Sequence, residues 1–154
     1  MITFVNTIKV HRPIAEMYAF LLDLENLPKW NYYVLEVTKL STGPIGVGTT
    51  FHQVRVTDEQ DLVITDLKPN WKIAVQTLPG SSLSLEMTLM LHEQGDATLV
   101  QDEWKLKSGL PPAMEWFGAG RIKSAAAENL VKLKELLEEG QVVLQDGRLA
   151  GRQG

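Results

Sequence analysis

Residues 82–92 alternate almost without fault. Leu83, Leu85, Met87, Leu89 and Leu91 fall on one side, and Ser82, Ser84, Glu86, Thr88 and His92 on the other, with Met90 the one exception. A strand with this period has one dry face and one wet face, which commits it to a half-buried antiparallel sheet. Similar stretches lie at 2–10, 33–40, 49–57, 61–67, 71–78 and 97–106, with turn-forming segments such as 41–48 (STGPIGVG), 68–70 and 79–81 between them. From residue 33 onward the spacing is roughly ten residues per strand, that of an antiparallel meander. Seven strands with one apolar face each need a cover.

One element is long enough to be that cover. Pro111 and Pro112 open a helical pattern that runs to Glu139, and Gly140 suits the C′ position. At 100° per residue, Trp116, Ala119, Ile122, Ala126, Leu130, Leu133 and Leu137 share one face; Arg121, Ser124, Glu128, Lys132 and Glu135 lie opposite. Glu138 and Glu139 oppose the helix dipole without an evident reason. Near the start, Pro13 suits a helix's first turn, and Ile14, Met17, Phe20, Leu21 and Leu24 form a short helical stripe; Pro28 limits a second short helix. The expected fold class is α+β: a seven-stranded antiparallel sheet wrapped around a long C-terminal helix, with two short helices after the first strand. Residues 1–140 make one domain. Residues 141–154, polar and glycine-rich, read as a tail with one short strand at most, at 141–144.

Bulk properties narrow the function classes. The net charge is −4, and the ten lysines and five arginines are scattered, so the concentrated positive surface that phosphates require is not expected, and no nucleic-acid partner. With no cysteine there is no disulfide, thiolate nucleophile or thiolate metal site. His11, His52 and His92 are far apart and show no metal-ligand spacing, so neither a metal nor another cofactor is expected. No segment approaches 18 consecutive apolar residues, and the start lacks the layout of a signal peptide; the expectation is a cytoplasmic protein without an integral membrane segment, monomeric or homodimeric.

Residues 8–30 read IKVHRPIAEMYAFLLDLENLPKW. A strand runs into Pro13, then a helix to Asp23, then a turn from Leu27 to Trp30; Val47-Gly48 precedes a later strand, and the long helix closes the order. This succession, over roughly residues 3–138, resembles the polyketide cyclase/dehydrase and lipid-transport superfamily, also called START-like, SRPBCC or helix-grip proteins. The resemblance implies a helix-grip fold with a ligand cavity between sheet and long helix. Its members include cyclases, dehydratases, lipid carriers and regulators of other proteins. The shared landmarks are structural, so no catalytic residue carries over.

The helix stripe is uneven. Leucines fill its C-terminal half, whereas Gly118, Ala119, Gly120 and Ala126 leave its N-terminal half small. Glycine inside a helix costs roughly 1 kcal/mol relative to alanine. The small residues leave room for a pocket bordered by Trp116, or else bring helix and sheet into close contact or kink the helix. The expected lining is Phe51, Met87, Trp104, Trp116, Phe117, Ala119 and Gly120. Phe117 lies off the leucine stripe and reaches the pocket only if the helix start is displaced; otherwise it is exposed or meets another subunit. Two charged residues are candidate catalytic groups. Asp102 shares a strand face with Val100 and Trp104; turned inward, it would be desolvated and its pKa raised. Arg55, with Gln53, would meet a ligand carboxylate or phenolate if that face of its strand points inward, and is an ordinary exposed arginine if it does not. His52 falls on the opposite strand face and reads as a rim or surface residue. Three functions remain open: binding of a hydrophobic or aromatic small molecule, lipid- or polyketide-like; a cyclase- or dehydratase-type enzyme acting in the same cavity; and a protein-interaction module.

Overall fold

A computed structural model describes residues 1–81 and 83–152. Ser82, the expected start of the clearest strand, and residues 153–154 lie outside the described residues. The elements follow in the order β1 (Ile2–Val10), α1 (Ile14–Leu22), a 3-10 helix (Leu24–Lys29), β2 (Val34–Lys39), β3 (Thr50–Arg55), β4 (Glu59–Lys68), β5 (Lys72–Thr77), β6 (Ser84–Gln94), β7 (Ala97–Lys107), α2 (Pro112–Glu139), β8 (Gln141–Val143) and β9 (Leu149–Gly151). The first seven strands make one antiparallel sheet in the order β1-β7-β6-β5-β4-β3-β2. The α+β sheet and long helix expected from the alternation are therefore present.

Local chemistry explains the start. Pro13 holds φ at −62° with an extended ψ of 146°, which turns the chain out of β1 and into α1. Met17, Tyr18 and Leu21 bury one face of α1. The Asp23 carboxylate accepts from the Glu25 N–H at 3.1 Å and caps the 3-10 helix. Trp30 ends that segment fully in the core. In the sheet, Phe4 of β1 lies opposite Trp104 of β7, and Met87 of β6 lies between Val75 and Trp104. Bulges between Val34 and Glu36 and between Ile64 and Asp66 add the local twist a sheet needs to curl over a helix.

Helix α2 is about 42 Å long at 1.5 Å per residue. Gly140 stops it with φ at 86°, and its N–H donates to the Leu136 carbonyl. Such a left-handed cap suits glycine because a Cβ is disfavoured there. Side chains stitch the helix to β1 and the residues just after it. Asn6, which interrupts the apolar alternation of β1, donates to the Lys123 carbonyl at 3.0 Å. Arg12 Nε donates to the Leu137 carbonyl at 2.8 Å, and Lys134 Nζ to the Lys9 carbonyl at 2.8 Å. Glu138 gains its reason here: it accepts from the His11 N–H at 2.8 Å and from Lys134 Nζ at 2.7 Å.

The apolar interior is divided. A large cluster holds Leu130, Leu133, Leu136 and Leu137 of α2 against the middle of the sheet, α1 and the 3-10 helix. A smaller one joins Ile2, Phe4, Leu85, Leu106 and Ala126, with Ala119 and Ile122 packed against it. Trp104 touches both, and its ring stacks on Phe4 with centroids 5.4 Å apart.

The expected tail is a correction. Residues 141–151 form a two-stranded hairpin, β8 against β9, and Val142, Leu144 and Ala150 are buried in the large cluster. Gly147, at φ 90°, makes its turn, and Arg148 anchors it by donating to the Tyr32 carbonyl at 3.0 Å. Its apolar residues are few and widely spaced, so average polarity hid an alternation of only two short strands.

Candidate ligand cavity

A cavity of about 310 Å³ lies where the two clusters fail to meet. Leu62, Val75, Met87 and Trp104 wall it from the sheet on one side of the divide, and Leu85, Leu106 and Ile122 wall it on the other. Leu27 and Val34 close the side below the 3-10 helix. Tyr33 and Arg121, both exposed, mark the mouth. From α2 the wall is built by Ile122, Ala125, Ala126 and Asn129. Ile122, Ala125 and Asn129 are spaced i, i+3, i+7, a helical row of their own beside the leucine stripe. The short side chains at 125 and 126 leave the volume open.

Met87 and Trp104 stand on this wall, as does Arg55 with Gln53, so the inward face of β3 is the one that carries them. Phe51 shares that face but lies within the large cluster, fully buried and away from the cavity. Trp116 and Phe117 do not line it: they are 75% and 76% exposed and contact each other edge to face at 5.3 Å. The first two turns of α2 bury only Glu115, whose carboxylate accepts from the Ser108 N–H and hydroxyl at 3.1 and 2.8 Å. Helical periodicity identifies a face but says nothing about where the facing sheet ends. Ala119 is half-buried against the small cluster, and Gly120 is exposed. A Cβ built on Gly118 or Gly120 meets nothing within 4 Å, so neither glycine permits a close approach or makes the cavity.

Asp102 is inward, as its strand register allows, and 2% exposed. It stands behind the cavity wall and does not form part of it. Trp104 Nε1 donates to its Oδ2 at 2.9 Å, while Oδ1 has no hydrogen-bond partner among the described residues. Burial drives its pKa up to about 7 against the opposing pull of the Trp104 hydrogen bond. Arg55 Nε lies 3.0 Å from Asp58 Oδ1, yet neither atom makes a hydrogen bond: the charges are close, but the N–H is not aimed at the oxygen. His52 is on the outer face, where its ring nitrogens meet Asp61 at 2.7 Å and Glu59 at 3.0 Å. The hydrogen bond the ring gives to Asp61, then the one it gives to Glu59, raises its pKa.

Sequence reasoning missed Arg121, Asn129, Gln76 and Ser108, all on the wall. Arg121 falls opposite the leucine stripe and so reads as a solvated charge. Asn129 offered a signal: a polar residue beside the stripe at helical spacing from Ile122 and Ala125. It is buried, and its Oδ1 accepts from Gln145 Nε2 at 3.2 Å, out of the β8–β9 hairpin.

The sequence model of the polyketide cyclase/dehydrase and lipid-transport family matches residues 1–138. The chain belongs to that family. The family match ends within α2 and leaves the β8–β9 hairpin outside it. No curated protein matches the chain. Solved structures share its fold at low identity. A START superfamily protein from Mycobacterium smegmatis superposes with a TM-score of 0.72 at 18% identity, covering 89% of this chain and 99% of that one. The di-domain ARO/CYC BexL from the BE-7585A biosynthetic pathway gives 0.73 at 14% identity, over 90% of this chain and 47% of BexL, about one half of the larger protein. The Aha1 dimer from Colwellia psychrerythraea gives 0.68 at 20% identity, over 90% and 97%. The fold common to these three is the helix-grip arrangement described above. No helix among the described residues is long and apolar enough to cross a membrane.

Proposed function

We propose that this chain binds a hydrophobic or aromatic small molecule, lipid- or polyketide-like, in the cavity between the sheet and α2. The observation that carries the reading is the gap itself. A packed core has few voids larger than a water molecule. Here about 310 Å³ is left open among leucine, valine, methionine and tryptophan side chains, within the range of about 300–1,000 Å³ common for ligand pockets. Apolar walls favour an apolar guest because water inside them gains few hydrogen bonds.

A cyclase- or dehydratase-type reaction in the same cavity is the second reading. Asp102 favours it, with a proton affinity suited to transfer near neutral pH. Its place behind Trp104 counts the other way, and no histidine or carboxylate is among the described residues on the wall. Binding is therefore the stronger reading. With it goes a cytoplasmic protein, monomeric or homodimeric; cell fractionation and light scattering test those two parts.

Titration with the neutral dye Nile red tests the binding. Wild type should take up one dye per chain with a blue-shifted emission. Ala125→Phe, which places a ring in the cavity, should lose that signal while keeping its far-UV circular dichroism. Equal uptake by both proteins would move the site elsewhere, and no uptake by wild type would remove the reading.

A further inference from the structure

The cavity wall carries two positive charges and, among the described residues, no negative one: Arg55 from β3 and Arg121 from α2. That sign is unexpected in a chain of net charge −4. The chain has five arginines. Three of them donate to protein acceptors: Arg12 to the Leu137 carbonyl, Arg148 to Asp146 and the Tyr32 carbonyl, and Arg152 to the Leu137 carbonyl. The two on the cavity wall are the two whose guanidinium groups make no hydrogen bond to any described residue. Arg121 also has no carboxylate within ion-pairing distance among the described residues, and Arg55 has only Asp58, 3.0 Å from its Nε.

Topology puts the pair at one end. Arg55 is the last residue of β3 and pairs with Val34, next to Tyr33 at the mouth. In the antiparallel meander β3 and β7 run in the same direction, so the end of β3 lies at the same end of the sheet as the end of β7, from which the chain enters α2. Arg121 comes within the first three turns of that helix. Both arginines thus come from the same end of the sheet, and they share the wall with apolar residues such as Leu62, Val75 and Leu106. A guanidinium presents a planar fork of donors that fits a carboxylate, and partial desolvation strengthens the match. Asp58 offsets one of the two charges, leaving a net +1 that a monoanion balances.

We propose that the ligand is an amphipathic monocarboxylate: an apolar body in the cavity and one carboxylate held at the mouth by Arg121 and Arg55. This rests on the cavity-binding reading and narrows it to one class. Asp58 remains a neighbouring charge 3.0 Å from Arg55 Nε, and the guanidinium groups of Arg55 and Arg121 share the carboxylate.

Calorimetric titration with two matched pairs tests the inference: decanoate against decan-1-ol, and 2-naphthoate against 2-naphthalenemethanol. In whichever pair binds, the acid should bind roughly tenfold or more tightly than the alcohol, the gain of about one charge-assisted hydrogen bond. Arg121→Gln, at an exposed position, should reduce that preference severalfold, because the acid loses a charged partner that the alcohol does not use. Arg55→Gln should do the same; if leaving Asp58 without its partner unfolds that variant, Arg121→Gln decides alone. An acid and alcohol that bind equally, or an acid preference that survives Arg121→Gln, overturns the monocarboxylate and leaves cavity binding standing. If no member of either pair binds and Nile red does not bind, both fall.

Discussion

Replacing Asp102 by asparagine should change how stability depends on pH, and by an amount the structure sets. The carboxyl is 2% exposed, and burial raises its pKa from an ordinary 3.8 to about 7. A folded-state pKa above the unfolded one means that the folded protein keeps its proton between about pH 4 and 7 while the unfolded chain has lost it. The contribution to stability is therefore full below pH 4, declines as pH rises through that window, and is lost above about 7. A shift of about three units corresponds to roughly 4 kcal/mol. Asparagine has nearly the same shape, still accepts from Trp104 Nε1, and does not titrate. Asp102→Asn should thus match wild type within about 1 kcal/mol at pH 4 and exceed it by up to roughly 4 kcal/mol at pH 8. Urea unfolding followed by circular dichroism, in steps from pH 4 to 8, gives both curves. The remaining carboxylates titrate alike in the two proteins and cancel in the difference. Parallel curves over the whole range would refute the buried-carboxyl argument.

Leu144→Ala should destabilise by roughly 2–4 kcal/mol in chemical denaturation, because Leu144 is 3% exposed within the large cluster; a change below 1 kcal/mol would mean the hairpin does not belong to the core. Trp116→Ser and Phe117→Ser should each stay within about 0.5 kcal/mol of wild type and leave Nile red affinity unchanged, since both rings face solvent; lost dye binding would return them to the site. The His52 ring, titrated by NMR, should show a midpoint above the ordinary 6.5, and Asp61→Asn should lower it, because the Asp61 hydrogen bond is the main cause of the rise.

Repetition made the fold legible in the sequence. Leu83 to Leu91 alternates five times, and Leu130, Leu133 and Leu137 recur at helical spacing, so many residues vote for each element. The hairpin after Gly140 had too few votes, since β8 and β9 are three residues each. The site was less legible because a cavity is a property of what does not touch. For Met87 and Trp104 strand parity groups each with the residues of one face, and the structure turns those faces inward. Trp116 and Phe117 could not, because parity and period fix a direction and not the extent of the opposing surface. The space at Ala125 and Ala126 depends on how α2 is rotated over the sheet, which Asn6, Arg12 and Lys134 fix through contacts with β1 or with α2 itself more than 100 residues away in sequence. Arg121 shows the same difficulty with the opposite outcome: a position that looks solvated on a helical wheel lies at the mouth of the cavity.

The central claim is that the space beside Trp104, Ala125 and Ala126 exists to hold a small molecule. Native mass spectrometry of the protein purified from its own host tests it most directly, with wild type and Ala125→Phe expressed side by side. The account predicts a single added mass on wild type, released by organic solvent and absent from Ala125→Phe. Bare protein in both samples, or the same added mass on both, would contradict it.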